Sequence, residues 1–435
     1  MYKKRPLCIG LSLSATWMKG DGWRRQDSKA EQLNSSDFYI GLAQKAERAK
    51  LDFVFKPDAL YVNVEALERS PGFGGLDPTL LLTSLAHATS RIGLITTVSS
   101  TFLPPYLVAR QLQSLHWISD GRAGWNVVTA LGGAENFTAA GMPSSEERYA
   151  RAEEFAELVM ELWESFPHDA LRIDRATGRF ADSQRVRPVS HEGTFFHVKG
   201  PLNIPAHPAG PLPVLQAGAS ENGRRFAAAY ADAVFAAAPE AAAAIELRDD
   251  LRRRAVALGR APDAVRVLPG LYFFLAPTRE EARAQYAEAH THVSAERRHA
   301  AIEAALGLNL RGLDPAEPVT AELLPDPALP VRDRTYTAAL RALIVSRQPT
   351  VAELLERPEV IGSLHWVVIG TPADVLRQIV DWHEAGAMDG FIALPGGSLQ
   401  SLDLLLEELV PMLAELGLYR REYAGATLRE HLGVE

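Results

Sequence analysis

An asparagine inside an otherwise apolar strand candidate is the residue best suited to bind a polar ligand. Asn126 lies in the run Gly124–Ala130, where Asn126 and Val128 share one face and Trp125 and Val127 share the other. An amide packed against helices without partners costs about 1–3 kcal/mol. We therefore expect Asn126 to face an interior where a ligand binds its amide. An asparagine bonded only to neighbouring strands is the alternative.

A second group of residues has the spacing of an anion site. Gly218, Ala219 and Ser220 follow a strand candidate and open a helix, with Gly223 one turn later. The backbone N–H groups and the dipole at such a helix start favour a phosphate, and Ser220 adds a hydroxyl. An ordinary serine cap of the helix is the alternative interpretation.

Two charged residues end another strand candidate, Asp52–Asp58. From its position alone, Asp58 is expected to cap the following segment. Lys56 lies two residues earlier, so we place both side chains on one face. Our hypothesis is that Lys56 projects into the interior and pairs with Asp58 or attracts an anionic substrate. A purely structural ion pair is the alternative.

Apolar runs of strand length alternate with helix-period segments along the chain. The strand candidates are Cys8–Leu13, Asp52–Asp58, Ile92–Ser99, Gly124–Ala130, Pro213–Gly218, Asp232–Ala238, Val265–Ala276 and Gly390–Leu394. Eight such strands separated by amphipathic helices predict an α/β fold with a parallel sheet covered on its outer side. A closed (β/α)₈ TIM barrel fits this count better than an open sheet. An extra candidate, Trp366–Gly370, leaves the count ambiguous.

The helix candidates are well marked by caps and periodicity. They are Ser36–Lys50, Pro78–Thr89, Pro105–Ser119, Glu146–Phe166, Asn222–Ala231 and Glu240–Leu258. We interpret residues 1–435 as one barrel domain with insertions at about 167–213 and 290–362, because these stretches break the alternation. The segments Gly20–Ser35 and Pro315–Pro330 are expected to shape a substrate site, since long loops at a barrel's carboxyl end carry function.

The composition excludes several classes of protein. A net charge of -9 without a basic stripe argues against nucleic-acid binding. The single cysteine, Cys8, rules out an internal disulfide and multi-cysteine metal sites, and the histidines lack metal-ligand spacing. No apolar run has membrane length, so we expect a soluble, cytoplasmic protein. No G-x-G-x-x-G or P-loop motif indicates a nicotinamide or nucleoside triphosphate site.

Seven segments together resemble flavin-dependent monooxygenases of the bacterial luciferase superfamily. The similarity is to the group that acts on nitrilotriacetate, dibenzothiophene sulfone and long-chain alkanes. The segments are Gly22–Arg25, Ala43–Arg48, Ser99–Arg110, Gly121–Thr129, Arg148–Phe155, Gln216–Ser220 and Glu422–Arg429. They span nearly the whole chain, and their conjunction is specific although each fragment alone is weak.

The resemblance implies a luciferase-like barrel that binds FMN without a covalent bond. Reduced FMN would come from a separate NAD(P)H:flavin reductase, and O₂ would oxygenate a small organic substrate. The implied flavin contacts are Asp58, Thr97, Ser99, Asn126, Ser145, Tyr149, Gly218 and Ser220. Ser145 stands where relatives commonly have histidine, and Tyr149 has a core aromatic as its alternative role. The catalytic residues are unknown from sequence.

Other expectations remain open at this point. Trp17, Trp23 and Lys56 are candidates for the substrate wall, with core packing as the alternative for both tryptophans. A deazaflavin (F420)-dependent oxidoreductase and a barrel that binds flavin without turnover are the competing functions. By analogy alone, the assembly would be a homodimer or homotetramer.

Overall fold

Eight parallel strands close into a barrel, and a further strand extends its wall. The computed structural model describes residues 5–68, 71–72, 74–290, 293–326, 334–361 and 363–434. The strands are β1 Cys8–Ser12, β2 Phe53–Lys56, β3 Gly93–Ser99, β4 Ala123–Val128, β5 Leu171–Asp174, β6 Arg179–Ala181, β7 His191–Glu192, β8 His197–Val198, β9 Val214–Ala217, β10 Ala233–Ala236, β11 Arg266–Leu275, β12 Trp366–Gly370 and β13 Gly390–Pro395. Around the barrel the order is β1-β2-β3-β4-β9-β10-β11-β13 and back to β1. The predicted (β/α)₈ barrel is confirmed.

The extra strand candidate in the sequence has a defined place. β12 pairs with Leu271–Leu275 of β11, beyond the residues of β11 that pair with β10. It therefore lengthens the barrel wall above β10 and does not add a member to the closed ring.

Helices cover the outside of the barrel and form the second insertion. They are α1 Ser36–Arg48, α2 Val64–Leu67, α3 Pro78–Ala88, α4 Pro105–Ile118, α5 Ser145–Glu164, α6 Glu221–Tyr230, α7 Ala241–Ala257, α8 Arg279–His290, α9 Ala295–Leu306, α10 Arg334–Arg347, α11 Val351–Leu355, α12 Pro358–Ile361, α13 Pro372–Glu384, α14 Leu399–Leu404, α15 Val410–Glu415 and α16 Leu428–Leu432, with a π-helical stretch at Leu405–Leu409. At the start of α3, the Asp77 side chain accepts from the backbone N–H of Leu80, and Pro78 is the first residue of the helix.

The amino end of the barrel is closed by the C-terminal segment. Leu428 and Leu432 of α16 join a buried apolar cluster with Phe53 and other inward-facing strand residues. A Cβ at Gly93 would lie 2.5 Å from a Leu428 methyl carbon, and one at Gly124 would lie 2.6 Å from the other. Glycine at both positions therefore makes room for the leucine that fills the barrel.

The two insertions have different structures. Residues 167–213 contain the hairpins β5–β6 and β7–β8. Residues 290–362 contribute α9 to α12, which share a separate apolar cluster that includes Ile302 and Leu340. The predicted Pro315–Pro330 loop lies partly outside the described residues. In the described part of the chain, no helix is both long and apolar enough to cross a membrane.

Candidate active site

The lumen wall formed by β3 and β4 carries three of the expected ligand contacts. Asn126 is 2% exposed, and its Nδ2 donates to Thr97 Oγ1 at 3.0 Å. The Asn126 Oδ1 is buried and has no hydrogen-bond partner among the described residues. Ser99 lies two residues above Thr97 on the same face, and its hydroxyl accepts from the Thr101 N–H. A buried carbonyl oxygen is thus left for the N–H group of a ligand.

Strand register fixes the direction of Asn126. It pairs with Thr97 on one side and with Leu215, a member of the inward-facing cluster, on the other. Trp125 takes the outer face and packs against Phe155 of α5, with ring centroids 6.0 Å apart. The structure therefore places Asn126 in the lumen.

The carboxyl end of β9 and the start of α6 form a cradle beside Tyr149. Ser220 caps α6 by accepting from the Gly223 N–H at 3.2 Å. A Cβ at Gly223 would lie 3.0 Å from the Tyr149 hydroxyl, and one at Gly218 would lie 3.3 Å from it. The glycines therefore hold open a space bordered by two hydroxyl groups and a helix N-terminus, which suits a phosphate.

A residue that the sequence did not single out completes this cradle. Gln216 is 3% exposed, and its Nε2 donates to the Ala217 carbonyl at 3.0 Å. Its Oε1 is buried without a partner in the described part of the chain. A Cβ at Gly218 would lie 2.8 Å from Gln216 Nε2, so the amide borders the same space as Tyr149.

The start of α5 explains how Tyr149 and Ser145 are held. Ser144 caps the helix by accepting from the Glu147 N–H, and Ser145 is its first residue and half-buried. Ser145 lies four residues before Tyr149, hence on the same side of the helix. Further along α5, Glu154 accepts the backbone N–H groups of the β7–β8 hairpin, which anchors the helix to the first insertion.

Lys56, the last residue of β2, lies away from the lumen, and Asp58 follows two residues later. Lys56 pairs in register with Thr96, whose hydroxyl bonds to α3 outside the barrel. Its ammonium lies 6.0 Å from the ring centroid of Tyr39 on α1, and burial lowers its pKa. Lys56 therefore occupies the outer face and not the lumen. Burial raises the pKa of Asp58, with Asp77 acting in the same direction and Lys56 opposing it.

The two tryptophans suggested for the substrate wall have unlike surroundings. Trp17 is 1% exposed, belongs to the main apolar core, and donates its indole N–H to the Ser28 carbonyl at 2.9 Å. Trp23 is 37% exposed. The structure thus packs Trp17 as a core residue and leaves Trp23 at the surface of the Gly20–Ser35 segment.

Sequence reasoning missed three polar residues on the opposite side of the barrel. Tyr272 lies on the inner face of β11, Lys19 lies in the segment after β1, and His365 immediately precedes β12. The Tyr272 hydroxyl and His365 Nδ1 are buried without partners in the ranges that the structure describes. The alternation of Gly270, Tyr272 and Phe274 could have placed the tyrosine in the lumen. The positions of Lys19 and His365 in the sequence do not indicate that these two residues lie near Tyr272.

The arrangement is suited to holding a ligand in a fixed orientation. The β3–β4 wall offers neutral amide and hydroxyl groups, and the Tyr149–Ser220 cradle offers donors for an anion. Within the described ranges, no group of three or more histidine, cysteine, aspartate and glutamate side chains could hold a metal ion. The unpaired Asn126 oxygen and the glycine-lined cradle fit a ligand with a polar ring at one end and a phosphate at the other.

Comparison with known proteins gives consistent matches over the whole chain. Residues 23–389 match a family model described as luciferase-like monooxygenase. The chain is 34% identical to N-acetyl-S-(2-succino)cysteine monooxygenase of Bacillus subtilis, over 100% of this chain and 98% of the relative. It is 33% identical to nitrilotriacetate monooxygenase component A of Aminobacter aminovorans, over 100% and 98% of the two chains. A solved structure of riboflavin lyase with modified FMN and riboflavin matches with TM-score 0.84 and 31% identity, over 99% of this chain and 96% of the other.

Proposed function

Because the chain belongs to the luciferase-like monooxygenase family, we propose that it is the oxygenase of a two-component system. In this proposal it binds reduced FMN, which a separate NAD(P)H:flavin reductase supplies, and uses O₂ to oxygenate a small organic molecule. The relative named as a component A supports the division into two proteins.

The unpaired amide oxygen of Asn126 carries the proposal. A buried acceptor without a partner costs about 1–3 kcal/mol, so its retention in the lumen requires a compensating role. The N–H group of a flavin ring supplies the missing donor, and Thr97 keeps the amide oriented for it. The Tyr149 hydroxyl and the start of α6 would hold the phosphate, with Ser220 and Gln216 beside them.

The residues on this wall position a cofactor and do not themselves react. A bound reduced flavin would supply the activation of oxygen. The chain would contribute orientation through Asn126 and Thr97, and exclusion of water through the buried lumen beneath them. Ser145 would face the flavin with a hydroxyl, which can donate a hydrogen bond but cannot carry a positive charge.

Anaerobic titration with photoreduced FMN tests the cofactor assignment. We expect saturable uptake of one reduced FMN per chain, and weaker uptake of riboflavin because it lacks the phosphate. Deazaflavin F420 serves as the comparison ligand. Preferential uptake of F420, or no uptake of FMN in either redox state, contradicts the proposal.

A reconstituted reaction tests the two-component arrangement. The protein is mixed with FMN, NADH and O₂, with and without a flavin reductase, against a screen of thioethers, amino-carboxylates and alkanes. We expect substrate consumption only when the reductase or a chemical reductant is present. Turnover with NADH alone contradicts the need for a partner. FMN uptake without substrate-dependent oxygen consumption favours a binding barrel without turnover.

A further inference from the structure

We propose that Lys19, Tyr272 and His365 form a subsite for a carboxylate group of the substrate, on the β11 side of the lumen across from Thr97 on β3. The inference rests on the proposed flavin site and names the class of substrate that this chain would accept. It is carried by the position of the three side chains, by their chemistry, and by two buried polar atoms that lack partners among the residues that the structure describes.

The barrel topology places this subsite across the lumen from the flavin wall. Three strands separate β3 from β11 in either direction around the ring, so the two strands face each other. Tyr272 pairs with Leu394 and shares the inner face of β11 with Gly270. The lumen of an eight-stranded barrel is narrow, so a ligand bound at its carboxyl end lies close to the strands on both sides. A substrate beside a flavin at Asn126 would therefore contact the β11 wall.

Lys19 supplies a positive charge at this wall. Its ammonium lies 5.2 Å from the ring centroid of Tyr272, within the range of a cation–π contact. The side chain remains accessible to solvent, but the surrounding protein displaces enough water to lower its pKa. An ammonium carries three N–H donors, so it can bind an anion in addition to its other contacts.

The backbone of β11 is shaped to receive His365. The imidazole stacks on Phe235 with ring centroids 5.0 Å apart and an angle of 12°. A Cβ at Gly270 would lie 2.4 Å from His365 Nδ1, so only glycine there seats the ring. Burial, together with the charge of Lys19, lowers the pKa of His365 to about 4. The ring is therefore neutral near pH 7 and adds a hydrogen-bond donor without a second charge.

The unpaired Tyr272 hydroxyl indicates the kind of group that binds here. Tyr272 is 1% exposed, and its hydroxyl finds no acceptor among the described residues. A carboxylate can accept from this hydroxyl and from the ammonium of Lys19 at once, and hydrogen bonds to an ionised acceptor are the stronger kind. An apolar or cationic group would leave the hydroxyl unpaired.

Calorimetric titration of the FMN-saturated protein with matched acids and amides tests the subsite. The probe pairs are N-acetylmethionine with its amide, and succinate with succinamide. We expect wild type to bind each acid at least about tenfold more tightly than its amide, because a charge-assisted bond is worth about 1.5 kcal/mol or more. Lys19→Met should remove this preference, and Tyr272→Phe should reduce it severalfold without lowering thermal stability.

Lys29→Met is the matched control, since Lys29 is an exposed lysine of the same segment. It should keep the full preference for acids. Equal binding of acids and amides by wild type, no binding of either acid, or equal losses in the Lys19 and Lys29 variants would each overturn the subsite. FMN content, read from flavin absorbance in every sample, separates the two proposals. Normal FMN uptake with no preference rejects the subsite alone, whereas absent FMN uptake rejects the flavin site and the subsite with it.

Discussion

The two ends of the barrel differ in how far their buried polar groups have hydrogen-bond and ion-pair partners. At the amino end, Asp52 is fully buried, accepts from the Ile9 N–H at 2.7 Å and from the Tyr419 hydroxyl at 2.9 Å, and forms an ion pair with Arg420. Arg122, also at this end, donates to backbone carbonyls and a hydroxyl of the turns around it. The buried charged side chains Asp52 and Arg122 at the amino end thus have partners within the protein.

The carboxyl-end half of the barrel leaves buried atoms without partners among the described residues. They include Asn126 Oδ1, Gln216 Oε1, Tyr272 Oη and His365 Nδ1. Native proteins pair nearly all buried polar groups, so a cluster of exceptions needs an explanation. In TIM barrels the carboxyl end carries the chemistry and the amino end carries stability. The contrast therefore agrees with a functional carboxyl end, although His116 Nδ1 near the amino end also lacks a partner among the described residues.

Removing Arg420 should have the largest effect, and on stability only. Arg420→Met leaves the Asp52 carboxylate buried without its ion-pair partner, which costs about 3–5 kcal/mol of unfolding free energy. Urea denaturation measures this loss, and FMN affinity per folded molecule should be unchanged. The exposed neighbour Arg421 provides the control, since Arg421→Met should cost little. Equal losses in the two variants would show that the buried Asp52–Arg420 ion pair contributes no more to stability than the exposed Arg421 does.

Removing the Tyr149 hydroxyl should have the next largest effect, and on binding only. Tyr149→Phe should weaken FMN binding by about 1.5–3 kcal/mol, because the proposed hydrogen bond to a charged phosphate would be lost. Riboflavin affinity should stay the same. Tyr106→Phe, which removes a 3.4 Å hydrogen bond to Pro201 on the outside of the barrel, is the control. A parallel loss of riboflavin affinity would argue against a phosphate contact.

Replacing Asn126, whose Oδ1 lacks a partner among the described residues, should separate binding from stability most clearly. Asn126→Leu should weaken reduced FMN binding by about 1.5 kcal/mol, roughly tenfold. Without flavin, its unfolding free energy should not fall, since the substitution removes a buried polar group that lacks one partner. Asn136→Leu at an exposed asparagine is the control. A large loss of stability in the flavin-free protein would mean that the Asn126 amide is structural.

Acid should lower the free energy of unfolding through His116, a buried histidine of α4 near the amino end of the barrel. Burial and the nearby His207 lower the pKa of His116 to about 4. Because an unfolded histidine titrates near about 6.5, the stability from keeping His116 neutral is complete above that pH and is lost as the pH falls toward the folded value.

The size of this acid effect can be measured by difference. At pH 5.5 the contribution of His116 to the free energy of unfolding should be about 1 kcal/mol smaller than at pH 7.5. Urea denaturation across pH 7.5 to 5 should show it in wild type, and His116→Gln should show a shallower pH dependence. Identical pH profiles for the two proteins would mean that His116 does not titrate in this range.

Sequence periodicity predicted the barrel and the lumen-facing position of Asn126, because strand alternation and a polar residue in an apolar run fix one face. It placed Lys56 wrongly relative to the lumen, since strands buried on both faces do not reveal which face is inner. Phe53 and Phe55 belong to the inward-facing cluster, so the alternation of side chains along β2 assigns Lys56 to the outer face.

The opposite wall was beyond sequence reasoning for a different reason. Lys19 and His365 are more than three hundred positions apart in the chain and meet only because the ring closes. The closure of the amino end by Leu428 depends on the same long-range packing. Local patterns carry no information about contacts that only closure creates.

A crystal structure with bound FMN tests the central claim most directly. The account predicts the flavin ring against Asn126 and Thr97, with Asn126 Oδ1 accepting from a ring N–H, and the phosphate between Tyr149 and the start of α6. A flavin bound at the amino end, or one that leaves Asn126 Oδ1 without a donor, would contradict it.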